Sequence, residues 1–137
     1  EISACLVGSE MCIRDRDKLS YERNLEEIVT AEKVIYSVTG IRTVLFAPPS
    51  GAYASQTLQA AEDAGYKTVM WSKDTVDWRD QDVSLIFRRA TGKLKGGDLI
   101  LMHPTEATMK ALPDILKFFS ENGFKICTVS QNIEGSA

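Results

Sequence analysis

Four short apolar runs, each closed by proline, glycine or a polar cluster, recur roughly every 25 to 30 residues along this chain, at residues 43–46, 67–71, 98–102 and 125–129. Between them apolar residues fall at three- and four-residue steps, the period of an amphipathic helix. A helix of that kind buries one stripe and needs a sheet to cover, and strands joined through helices run parallel. The alternation predicts an α/β domain of repeated βα units, about four parallel strands with covering helices. All C-terminal strand ends then share one edge, where ligands and catalytic side chains gather in such folds.

The helices carry their own punctuation. Ser20 is placed to cap a first helix whose stripe is Tyr21, Leu25, Ile28, Ile35 and Val38, and Gly40 supplies a left-handed stop. A second starts near Ser55 and runs through Leu58, Ala61 and Ala64 to Gly65, and a third spans residues 82–91. Thr105 caps a fourth, with Met109, Leu112, Ile115, Leu116 and Phe119 on its apolar face. Pro48 and Pro49 stiffen the loop after the first strand, and residues 72–78 form a loop after the second. The turn at residues 92–97 lacks the spacing of a phosphate cradle and precedes a strand rather than a helix. With neither that loop nor an acidic cluster after the first strand, a doubly wound domain of flavodoxin or receiver type is disfavoured.

The third strand ends in the sole histidine of the sequence, His103, followed by Pro104. A histidine at a strand's C-terminal end fits acid–base chemistry, and it equally fits a hydrogen-bonded rim residue. Asp74, Asp77 and Trp78 lie in the loop after the second strand, where Asp74 reads as a turn cap, Lys73 as solvent-facing, and Trp78 as either core or pocket wall. Arg88-Arg89 reads as a solvated helix face.

A net charge of -3 over 137 residues gives no reason to expect nucleic acid or an anionic membrane as partner, and no membrane-spanning segment is present. Three cysteines without ladder spacing support neither a disulfide framework nor a zinc knuckle. Residues 1–16, which contain Cys5 and Cys12, have no helical or alternating period; they resemble the translated read-through of a sequencing adapter. They are set aside as a non-native leader, leaving residues 17–137 as one partial domain.

The succession Phe46-Ala47-Pro48-Pro49-Ser50-Gly51, then Trp71-Ser72-Lys73-Asp74-Thr75-Val76-Asp77-Trp78, then Ile100-Leu101-Met102-His103 resembles the last three of five motifs of the polysaccharide deacetylases. These are the NodB-homology or carbohydrate esterase family 4 fold, and the first motif looks closest to the sporulation-associated branch. The resemblance covers residues 19–133 and implies the C-terminal part of a distorted (β/α) barrel. It implies hydrolysis of N-acetyl groups on an aminosugar polymer such as peptidoglycan or chitin, by water activated with a divalent metal, zinc or similar, and a carboxylate base. His103 would be the general acid and Asp77 its partner, keeping the imidazolium charged at neutral pH. The backbone N–H of Ser50 would complete an oxyanion site, and Trp78, Leu101 and Tyr53 would wall the substrate pocket. The resemblance also implies an extracellular, cell-envelope or spore setting.

Departures from the family pattern bear on activity. Its first motif, with an Asp-Asp pair, and its second, with His-x-x-x-His, would lie before Asp17 and are not found here. This chain is therefore expected to bind no metal and not to catalyse by itself. Where active members carry an arginine and a tyrosine in the third motif, this chain has Ala47 and Ser50. The other reading, of a different class, is a degenerate deacetylase fold acting as a glycan-binding or cell-envelope and spore assembly module.

Overall fold

The computed structural model describes residues 18–135, and Ser50 by its backbone alone. The boundaries of the set-aside leader lie outside the described residues. The chain divides into two compact units, one ending at Met70 and the other beginning at Trp71.

In the first unit, helix α1 (Tyr21–Thr39) starts where the Ser20 hydroxyl accepts the Arg23 N–H, and ends at Gly40 with φ 68°. The left-handed turn at Gly40 costs glycine little, which is why the helix stops there. Strand β1 (Leu45–Phe46) is fully apolar and buried. A 3₁₀ turn (Pro49–Gly51) leads to helix α2 (Ser55–Asp63) and strand β2 (Lys67–Thr68). The strands pair in parallel, Leu45 opposite Lys67 and Phe46 opposite Thr68. Ile28, Ile35, Phe46, Ala60, Ala61 and Tyr66 form the core, where the Tyr66 hydroxyl meets Thr43 Oγ1 at 2.6 Å. The expected α1 stripe holds at Ile28 and Ile35 but not at Val38, which is exposed in the last turn.

In the second unit, strand β3 (Lys73–Asp74) precedes helix α3 (Val83–Thr91), whose N-cap Asp82 accepts the Leu85 N–H at 2.8 Å. Strand β4 (Ile100–Leu101) leads to helix α4 (Glu106–Glu121), capped by Thr105, and helix α5 (Val129–Glu134) follows. Strands β3 and β4 pair in parallel, Lys73 opposite Ile100 and Asp74 opposite Leu101. Ile86, Ala90, Ala107, Ala111, Ile115 and Phe119 make the core.

Among the described residues there are four strands, paired in parallel two by two within each unit, and one is not where it was expected. Residues 72–78 were read as loop, yet Lys73 and Asp74 form a strand. It is polar because it contributes backbone to β4 rather than side chains to a core. Residues 125–129 were read as a strand, yet 125–128 are coil and Val129 opens α5, with Ile126 and Cys127 exposed. The reason is capping: Thr128 Oγ1 accepts the Gln131 N–H, and Gln131 Oε1 accepts the Thr128 N–H. On α4 the buried face is Ala107, Thr108, Ala111, Ile115 and Phe119, so the expected stripe holds at Ile115 and Phe119 but not at Met109, Leu112 and Leu116, which are exposed.

Candidate active site

Parallel register decides which side chains meet in the second unit. Asp77 lies three residues beyond the β3 end, and His103 two beyond the β4 end, so both leave the same edge. Between Asp74 and Asp77 the chain is held tightly. The Asp74 carboxylate accepts the Val76 N–H at 2.8 Å, the turn-capping role expected of it, and Thr75 donates to the Leu101 carbonyl through its hydroxyl at 2.9 Å. Val76 takes φ 52°. A β-branched residue in this left-handed region costs on the order of 1–2 kcal/mol. The residues on either side, Thr75 and Asp77, are both fully buried. That backbone strain is stored beside the one carboxylate the site depends on.

Asp77 has no exposed surface and accepts three hydrogen bonds. Its Oδ2 takes the His103 backbone N–H at 2.6 Å and the Thr108 hydroxyl at 2.6 Å, and its Oδ1 lies 2.7 Å from His103 Nδ1. Burial pushes the Asp77 carboxyl upward, but the bonds from the Thr108 hydroxyl and from His103 outweigh it and hold the group below the usual carboxylate range. Asp77 is therefore ionised at neutral pH and can only accept. The neutral imidazole must then carry its proton on Nδ1, which leaves Nε2 for chemistry on a ring that is 42 % exposed.

A second cluster fixes the same loop. Arg89 donates to the Thr75 carbonyl at 3.0 Å and to Asp80 at 2.8 Å, and Arg79 forms a two-point pair with Asp80. Arg89 is thus half-buried against the loop, not on a solvated face as read from its neighbour Arg88. Lys73, read as solvent-facing, sits in β3 and donates to the Gly92 carbonyl. Trp78 is 56 % exposed beside Arg79, which removes the core reading. Leu101 is half-buried in β4. Tyr53 is exposed and, with the 3₁₀ turn that carries Ser50, belongs to the first unit. Thr108 was not anticipated. The only hint lay in a β-branched hydroxyl in the first turn of a helix, three residues after its cap.

The carboxylates of the second unit predict its behaviour in acid. Hydrogen bonds from Arg79 and then Arg89 hold Asp80 far below its ordinary value, and bonds from Ser72 and the Lys95 N–H lower Asp98. With Asp77 these are three groups whose folded pKa lies under the unfolded value of about 4. Their stabilisation is complete above that value and disappears as the pH falls through the folded values. Lowering the pH from 6 toward about 2.5 is expected to open amides of α3 and α4 before those of α1 and α2, as read by hydrogen exchange. Simultaneous opening would contradict this.

A buried carboxylate gripping a histidine at the carboxyl ends of parallel strands is an arrangement suited to acid–base chemistry. Comparison with known proteins narrows its setting. The polysaccharide deacetylase family matches residues 12–69. The chain is 32% identical over 117 residues to YlxY of Bacillus subtilis, covering 85% of this chain and 37% of that protein. It is 30% identical over 118 residues to a peptidoglycan-N-acetylglucosamine deacetylase of Bacillus cereus, covering 82% and 55%. Among solved structures it matches BA3943, a CE4 family pseudoenzyme of Bacillus anthracis, with a TM-score of 0.80 and 29% identity over 84% of this chain and 41% of that one. This chain is similar to the polysaccharide deacetylases, and it spans between about a third and just over half of the curated relatives named here.

Proposed function

We propose that this chain forms the proton-donating side of a polysaccharide deacetylase acting on an aminosugar polymer of peptidoglycan or chitin type. The observation that carries this reading is the fully buried Asp77, which grips His103 by both backbone and ring. In such a hydrolysis a water oxygen bonds to the acetyl carbon and the C–N bond breaks. The departing sugar nitrogen needs a proton, and acetate is released. His103 in its imidazolium form, with Nδ1–H held by Asp77, supplies that proton from Nε2, and over the turnover the proton released by the attacking water replaces it. Trp78 and Leu101, which belong to the same unit as His103, line the acetyl pocket. The substrate class is supported by the peptidoglycan-N-acetylglucosamine deacetylase of Bacillus cereus among the relatives. An extracellular, cell-envelope or spore setting follows from the same reading.

Among the described residues no three His, Cys, Asp or Glu side chains come close enough to hold a metal ion. The described residues do not fit the divalent metal that the family resemblance implies. This chain is therefore proposed to be inactive in isolation. Ala47 and Ser50, together with the likeness to a CE4 pseudoenzyme, favour a second reading, a glycan-binding or envelope and spore assembly module that does not turn over.

Acetate release from N-acetylated peptidoglycan and chitin oligomers by the protein at full length separates the two. Release that is lost in His103→Gln supports the deacetylase, and release unaltered by that change overturns it. Polymer binding without any release favours the module.

A further inference from the structure

We propose that Thr108 is a positioning residue for the Asp77–His103 pair, the last donor of a hydroxyl relay that begins at Thr105 and sets both the rotation of the carboxylate and the tautomer of the imidazole. The direction of the relay follows from its end. An ionised carboxylate only accepts, so Thr108 directs its single hydroxyl proton to Asp77 Oδ2 at 2.6 Å. The 2.9 Å contact between the two threonine hydroxyls then has Thr105 as donor. The Thr105 oxygen in turn accepts the Thr108 backbone N–H at 3.1 Å. Helix cap and carboxylate are thereby wired together through the first turn of α4.

Two donors fasten Oδ2, the Thr108 hydroxyl and the His103 N–H, each at 2.6 Å. With that oxygen fixed, rotation about the Asp77 Cβ–Cγ bond is restricted and Oδ1 stays aimed at Nδ1, 2.7 Å away. Without the Thr108 hydroxyl, Oδ2 keeps one of its two donors and the carboxylate can turn. The Nδ1–H form of the neutral ring then loses the acceptor that selects it, and the proton moves to Nε2. The relay's value for proton delivery rests on the deacetylase reading above, but the tautomer does not depend on it.

Ring ¹⁵N NMR of His103 in the intact protein, with the imidazole neutral and the signal assigned by its absence from His103→Gln, reads the tautomer directly. The wild type is expected to show mainly Nδ1–H. In Thr108→Val, of the same size but without the hydroxyl, the Nε2–H to Nδ1–H ratio rises about fivefold or more, the change brought by loss of one hydrogen bond of ordinary strength. Thr108→Ser restores the wild-type ratio. An unchanged ratio in Thr108→Val overturns the proposal, as does a Thr108→Ser spectrum that matches the valine variant. Should Thr108→Val not fold, Thr105→Ala must move the ratio in the same direction, and no movement there overturns it equally. A tautomer shift in a protein that releases no acetate upholds the relay while defeating the deacetylase reading.

Discussion

Asp77→Ala is expected to lower folding stability by about 3–5 kcal/mol, measured as a shifted urea midpoint at neutral pH. The figure follows from what the carboxylate holds. Asp77 is fully buried, and removing it strands the His103 N–H and the Thr108 hydroxyl without an acceptor. Each orphaned buried donor costs about 1–3 kcal/mol, and a small domain has only about 5–15 kcal/mol to lose. Asp77→Asn makes the argument sharper. It abolishes the cost of burying a charge, which is the largest influence acting on this carboxyl, and keeps the shape. It nonetheless offers one acceptor oxygen to three donors and turns an amide N–H₂ toward the others. The asparagine variant is therefore expected to lose about 2 kcal/mol despite its neutrality. If it proves as stable as the wild type, the three hydrogen bonds are not what holds this site together.

The parts of the molecule legible in the sequence were those written in local chemistry. Ser20 and Thr105 each cap the helix that their position announced, and Gly40 ends α1 with the positive φ that only glycine adopts without strain. His103 and Asp77 could be brought together because parallel strands deliver their ends to one edge, whatever the strand lengths. Parts set by pairing or by tertiary contact were not legible. Lys73 and Asp74 become a strand through backbone bonds to β4, and no apolar pattern marks them. Arg89 looks like Arg88 until the loop carrying Thr75 and Asp80 closes on it. Thr108 has the same character, since its role is defined by a residue 31 positions away. Residues 125–129 carry two competing signals. Thr128 and Gln131 have the spacing of a reciprocal helix cap, which competes with the apolar run and wins because no strand among the described residues pairs with Ile126 or Cys127.

His103→Gln is expected to divide function from folding. A general acid contributes about 10²–10⁴-fold to the step it serves, so acetate release from N-acetylated aminosugar oligomers should fall by that factor in the full-length protein. Stability should hardly move. The ring is 42 % exposed, the backbone N–H to Asp77 survives the substitution, and the Thr108 hydroxyl still satisfies Oδ2. The glutamine amide can still donate to Oδ1 in place of the ring, so the cost stays at about 1 kcal/mol. The contrast with Asp77→Ala carries the argument, because the two residues share their bonds and yet the variants should separate, one failing to fold well and the other failing to react. Paired measurements of the urea midpoint and the rate of acetate release decide it. A histidine variant as destabilised as Asp77→Ala would make His103 a structural strand-end residue. A variant with unaltered release would place the proton donor elsewhere, and the buried pair would then serve only to fasten the β4 end to the loop after β3.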